Sequence, residues 1–164
     1  MNKSKIYNLE GEILPSEELY KNQVFFRKMC NSIVEIKIYE ILKLNPHPNI
    51  VDVYRYNNRY VDIELLDTDL IEVEPLDIKN TMNEVKKYLQ KLGIVYIDWK
   101  EDQIGINKEG KLKLFDFDGS GIIEPESLKW IIPPRKYFSY NKAIEKGIIK
   151  PLEIDNFAFN NNFK

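Results

Sequence analysis

Tyr96-Ile97-Asp98-Trp99-Lys100-Glu101-Asp102-Gln103-Ile104-Gly105-Ile106, continued after Asn107-Lys108-Glu109-Gly110 by Lys111-Leu112-Lys113-Leu114-Phe115-Asp116-Phe117-Asp118-Gly119, is the stretch on which the fold turns. Asn107-Lys108-Glu109-Gly110 is a hairpin signal between two alternating runs. A hairpin returns its strands side by side, so Asp98 and Asp116 are expected at the same end of it. Lys100 lies two positions beyond Asp98 and Gln103 five positions beyond it. Two carboxylates, a lysine and an amide gathered this way are the parts for metal-assisted phosphoryl transfer.

Working outward, the rest of the chain supplies a setting for that hairpin. Val24–Met29 is rich in β-formers and predicts a strand. Ser32-x-x-Glu35 has capping-box spacing and opens a helix that Asn45-Pro46-His47-Pro48 stops. Residues 50–56 and 60–65 predict two strands joined by the tight loop Asn57-Asn58-Arg59. Residues 77–92 predict a helix with Ile78, Met82, Val85, Leu89 and Leu92 on one stripe, ended by Gly93. Residues 119–140, punctuated by Gly119, Gly121, Pro125, Pro133 and Pro134, read as irregular. Residues 141–147 read as a short helix, and residues 155–159 as the first turn of one barely completed. Ile6–Leu14 reads as a strand and turn. The order predicts an α+β fold of two small lobes, with a cleft at the joint near residues 66–70. Such clefts are favoured ligand sites.

Composition narrows the function classes. The 164 residues are 43% hydrophobic and 30% charged, with a net charge of −2, ordinary for one globular domain. That balance argues against a general nucleic-acid binder. No apolar run approaches the roughly 18 residues of a membrane span, and Met1–Lys5 leads into no hydrophobic signal core. An intracellular, cytoplasmic protein is expected. With one Cys (Cys30) and one His (His47), neither an internal disulfide nor a Cys/His zinc site can form.

Over residues 20–159 these features, in this order, resemble the eukaryotic-type protein kinase superfamily. Tyr96-Ile97-Asp98-Trp99-Lys100-Glu101-Asp102-Gln103 is similar to its catalytic loop, and Asp116-Phe117-Asp118 to its metal motif, eighteen residues after Asp98. His47-Pro48-Asn49-Ile50-Val51 is similar to the segment after its regulatory helix, and Ile63-Glu64-Leu65-Leu66 to its last N-lobe strand and hinge. Pro151–Phe159 is similar to the start of its central C-lobe helix, with Asp155 at a buried aspartate position. The resemblance implies one kinase-like domain over 1–164: an N-lobe over 1–66 with a small antiparallel sheet and one helix, a hinge over 67–70, and a truncated, mainly helical C-lobe over 71–164. It implies ATP and Mg²⁺ as cofactors. Asp98 would be the catalytic base and Lys100 the neutraliser of the transferred group. Asp116 and Gln103 would hold the metal. Lys28, Glu35, Glu64 and Leu66 would bind the nucleotide.

The sequence also departs from that pattern. Gln103 stands for the metal-binding Asn, Asp118 for the Gly of the metal motif, and Tyr96-Ile97 for His-Arg. No G-x-G-x-x-G precedes Lys28, and Gly11 is the one glycine there. Two readings stand for Glu35: partner of Lys28, with Glu40 as rival, or capping-box residue alone. Lys28 is either a nucleotide ligand or an edge-strand guard against aggregation. The expected activity is ATP-dependent phosphorylation of a protein Ser/Thr hydroxyl. The alternatives are a catalytically inactive module that binds another kinase or its substrate, and a small-molecule kinase. The expected partners are a protein substrate or partner kinase and a homodimer covering the truncated lobe, with neither nucleic acid nor membrane.

Overall fold

A computed structural model of the chain describes residues 5–7 and 25–164. Over these described residues the fold is mixed α/β, with small antiparallel sheets and four α-helices. The first sheet has four strands in the order β1-β2-β4-β3, made by β1 (Lys5–Tyr7), β2 (Phe25–Met29), β3 (Val53–Tyr56) and β4 (Tyr60–Ile63). The helix α1 (Ile33–Leu44) lies between β2 and β3 in the chain and packs on this sheet. Beyond Tyr7, the strand and turn expected from Ile6 to Leu14 fall outside the described residues.

Lys28 pairs with Val61 across β2 and β4, and β1 flanks β2 on its other side. The lysine is therefore on an interior strand, and the edge-guard reading is corrected. Ser32 caps α1 by accepting from the Glu35 amide at 3.4 Å. The Glu35 carboxylate turns instead to Lys28, so the reciprocal half of a capping box is not made. The strands β3 and β4 are shorter than the sequence suggests. Ile50 and Val51 are drawn away to Leu114, whose carbonyl takes the Val51 amide at 2.9 Å.

The helix α2 (Pro75–Lys91) starts two residues before the predicted position, because Pro75 suits the first helical turn. Ile78, Met82, Val85 and Leu89 are buried as the stripe requires, and Gly93 ends the helix at φ +79°. The central hairpin forms between β6 (Ile104–Ile106) and β7 (Leu112–Leu114). Its first strand also meets Asp67, whose amide and carbonyl both bond Ile106 (2.9 and 2.7 Å). This close approach needs Gly105: a methyl there would come within 2.6 Å of the Leu66 Cβ.

Two expectations for the last third are corrected. Residues 119–140 are not irregular throughout. They carry β8 (Gly121–Ile123) and β9 (Trp130–Ile132), which form a three-stranded sheet with β5 (Ile94–Val95) in the order β5-β8-β9. Strands of two or three residues leave no readable alternation, and tertiary pairing makes them. The second correction is α4 (Pro151–Asn162), three full turns rather than one. The shorter α3 (Phe138–Glu145) precedes it, and Gly147 follows at φ +79°. Among the described residues no helix is long and apolar enough to cross a membrane.

Candidate active site

The loop between β5 and the hairpin is bent at one residue. Ile97 has φ +65°, and the Asp98 amide bonds back to the Tyr96 carbonyl at 2.8 Å. A β-branched residue in this region, at the centre of a γ-turn of the rare hand, is strained. The strain is held by Asp155, which lies inside α4 and does not cap it. Its Oδ1 accepts from the Ile97 amide (2.9 Å) and from Trp99 Nε1 (2.7 Å), and its Oδ2 accepts from Gln90 Nε2 (2.9 Å). Trp99 also packs edge-on against Phe159 of α4, ring centres 5.2 Å apart. Burial pushes the Asp155 carboxyl up from its ordinary value against the pull of these donors. The α4 platform thus fixes the residues on both sides of Asp98.

Asp116 is clamped with similar care. Its neighbour Phe115 takes the Tyr39 hydroxyl on its carbonyl (2.5 Å) and gives its amide to the Gln103 carbonyl (3.0 Å). Its other neighbour, Phe117, is fully buried edge-on between Tyr39 and Tyr96, at 5.4 and 5.3 Å. Asp116 is left facing Lys28, whose Nζ lies 3.3 Å from Oδ1. The same ammonium pairs with Glu35, a carboxylate only 1% exposed. Burial alone would lower the Lys28 pKa, but Glu35 and Asp116 more than offset it and the value is raised. Lys28 is a fixed cation between two carboxylates. Cys30 is close by, and burial with Glu35 raises its thiol to about 12, so it stays protonated and unreactive.

Asp98 receives the Gln103 side-chain amide on Oδ2 at 2.8 Å, and Lys100 Nζ stands 3.8 Å from the same oxygen. Burial raises the Asp98 pKa, opposed by Lys100 and Gln103. With its amide nitrogen on Asp98, Gln103 keeps a carbonyl oxygen for another partner. Among the described residues no group of three or more His, Cys, Asp or Glu is gathered to hold a metal ion. Asp116, with the carbonyl of Gln103 or the carboxylate of Asp118, is the donor set that remains. Mg²⁺ commonly takes one or two carboxylates and completes its shell with phosphate and water, so these residues fit it.

Glu64 and Leu66 line a cavity of about 160 Å³ with Phe26, Ile63 and Phe115. Phe26 and Lys28 are two apart on β2 and so share a face, placing the cavity beside the Lys28–Glu35–Asp116 cluster. The Glu64 carboxylate is already engaged by Lys113 Nζ and the Asp52 amide, each at 3.0 Å. It braces the wall of the cavity.

The geometry adds residues that the sequence did not single out. Tyr137 donates its hydroxyl to Asp118 Oδ2 (2.8 Å) and accepts from Arg135 Nη1 (3.2 Å). Its ring and the Asp98 side chain flank Gly119, where a methyl would lie 3.3 Å from the ring and 2.9 Å from the Asp98 Cβ. In the sequence Gly119 and Gly121 mark only an irregular segment; the close approaches at both are seen in the structure. No spacing rule links Tyr137 to Asp118. Elsewhere, His47 is structural: Nδ1 takes the Asn49 amide at 3.0 Å and the ring rests on Tyr88.

No known family model matches the chain, and no curated protein matches it in sequence.

Proposed function

We propose that the chain is a minimal protein-kinase-like phosphotransferase of bilobal design, which passes the γ-phosphoryl group of ATP to a Ser/Thr hydroxyl of a protein. The observation that carries this reading is the single ammonium of Lys28, held between Glu35 and Asp116 at the hairpin end where Gln103 and Lys100 fix Asp98. Phosphoryl transfer asks for positioned charge rather than covalent chemistry, and this cluster is positioned charge. Bound Mg²⁺ would neutralise the phosphates and orient them for in-line transfer. Asp116 would hold that ion, with Gln103 or Asp118 beside it. Lys28 would meet phosphate oxygens, and the apolar cavity of Phe26, Leu66 and Phe115 would take the base. Asp98 would orient the acceptor hydroxyl and receive its proton, a role that its raised pKa suits. Lys100 would offset charge on the group in transit.

One observation favours a second reading, a non-catalytic module that binds a kinase or a kinase substrate. Asp118 is already engaged by Tyr137 and faced by Arg135, and Asp116 already has Lys28 for company. Mg²⁺-dependent ATP turnover and the ATP-induced thermal shift of the native chain, Asp98→Asn and Asp116→Asn separate the two. Turnover lost in both variants supports the enzyme. No turnover and no ATP-induced stabilisation in the native chain sinks it.

A further inference from the structure

The hydrogen bonds that hold the Asp98 loop do not end at Asp155. Gln90 of α2, which donates to Asp155 Oδ2 at 2.9 Å, also donates to Asn156 Oδ1 at 3.1 Å. Lys86 Nζ reaches the same Asn156 oxygen at 2.9 Å. Gln90 in turn lines a cavity of about 540 Å³, a size that suits a small molecule. Leu152 lines it too, one helical turn before Asp155 and Asn156 on α4. An occupant of this cavity therefore touches both helices of the network. Two side chains, Gln90 and Asp155, separate its wall from the residues flanking Asp98, since Asp155 holds the Ile97 amide and the Trp99 indole.

The chemistry of the wall selects the occupant. Lys87 and Lys91 stand there against Glu84, and Glu84 is taken by Lys87 at 3.3 Å. Among the described residues Lys91 has no hydrogen-bond or ion-pair partner. His47 adds a donor. Its Nδ1 accepts the Asn49 amide at 3.0 Å, and burial and the charge of Lys113 push its pKa below the ordinary value. At neutral pH the ring is thus uncharged with its proton on Nε2, which also has no partner among the described residues. The rings of His47 and Tyr88, 4.7 Å apart, and the Leu152 side chain give the cavity an apolar surface. A cationic ligand would meet two lysines. An anion carried on a ring meets two unpartnered donors and a surface for the ring.

We infer that this cavity binds a small organic anion, a carboxylate or phosphate carried on a ring, and that its occupant steadies the turn before Asp98 through Gln90 and Asp155. With the anion on Lys91 and the ring against Tyr88 and Leu152, the Gln90 side chain is confined between the ligand and α4. Its bond to Asp155 is then kept, and the strained φ at Ile97 stays anchored. Neither the binding nor the coupling depends on the phosphotransfer reading, which ATP turnover tests separately.

The test titrates the isotope-labelled full chain with benzoate and with phenyl phosphate, and with benzylamine as the cationic control. The chain has two tryptophans, so Trp130→Phe assigns the two indole N–H signals. Benzoate or phenyl phosphate is expected to shift the Trp99 signal saturably at up to about 10 mM, with Trp130 unmoved. The tighter of the two names the anion. Hydrogen exchange at the Ile97 amide should slow about 3-fold or more in the complex. Lys91→Ala removes one charge-assisted contact and should weaken binding about 10-fold. Lys91 is exposed, so that variant is expected to fold. Gln90→Met should still bind the anion while the Trp99 signal stays still. If Gln90→Met does not fold, the wild-type titration and Lys91→Ala decide alone. No saturable shift with either anion, equal binding of benzylamine, indifference to Lys91→Ala, or binding that leaves Trp99 unmoved overturns the inference.

Discussion

Replacing Asp155 with alanine should loosen the site from behind. Asp155 lies on α4, yet its carboxylate carries the Ile97 amide, the Trp99 indole and the Gln90 amide, all at 2.7–2.9 Å. Alanine leaves the first two donors buried without partners, since Ile97 and Trp99 are 2% and 1% exposed. An orphaned buried donor costs about 1–3 kcal/mol. Relief from burying a carboxylate returns part of this, so a net loss of roughly 2–4 kcal/mol is expected. The φ of +65° at Ile97 is itself unfavourable by about 1–2 kcal/mol. Without its amide anchored, Ile97 should relax and carry Asp98 with it.

Asparagine is the informative control. Its oxygen can keep Ile97 and Trp99, and its NH₂ can face a turned Gln90, so it should cost within about 1 kcal/mol. Urea unfolding followed by Trp fluorescence measures both variants. The pH dependence gives a second check. Burial raises the folded-state pKa of Asp155 above its ordinary 3.8. The folded state then binds the proton more tightly, so the stability Asp155 contributes falls as pH rises through the folded pKa and is largest below 3.8. Wild type should gain on Asp155→Asn as pH is lowered from neutral. An alanine variant within about 0.5 kcal/mol of wild type, against the full cost expected of buried orphaned donors, would refute the reasoning. So would a wild-type advantage that shrinks in acid.

Lys28→Met leaves Glu35 buried and unpaired beside Asp116, and should cost about 2–4 kcal/mol by urea unfolding. Lys28→Met/Glu35→Leu should recover most of that loss. Gly105→Ala should destabilise by roughly 1–3 kcal/mol, because the new methyl meets the Leu66 Cβ at 2.6 Å and must push the 66–67 segment off β6. Hydrogen exchange at the Asp67 and Ile106 amides should quicken. The acidic limb of turnover against pH should lie above the ordinary aspartate value of 3.8, since burial raises the Asp98 pKa and activity needs its carboxylate. Lys100→Ala removes an opposing cation and should move that limb further up.

The parts of the fold that were legible in the sequence are those with local causes. Ser32 caps α1, Gly93 and Gly147 end helices, and Asn107–Gly110 turns the hairpin. Each is set by a residue acting on its own neighbours. The strands β8 and β9 escaped because three-residue elements exist only through their partners, β5 above all. The full length of α4 escaped because its buried face is not purely apolar: Ile154, Ala158 and Phe159 face the core with Asp155 among them. A buried aspartate breaks the apolar pattern from which a helix is read, yet it fixes the strained turn before Asp98.

The candidate site divides along the same line. Asp98, Lys100, Gln103 and Asp116 could be named because a hairpin makes distant positions neighbours in a countable way. Tyr137 and Arg135 could not, because α3, β8 and β9 must fold before they reach Asp118. The consequence bears on function. Asp118 is a carboxylate held by a tyrosine hydroxyl at 2.8 Å and faced by an arginine at 3.6 Å. A third carboxylate beside Asp98 and Asp116 would add repulsion to a phosphate site if it were unpaired. Tied to Arg135 and Tyr137, it instead fastens the segment after Asp116 to the start of α3. Asp118 is thus a side-chain anchor, placed beside Asp98 where α3 begins.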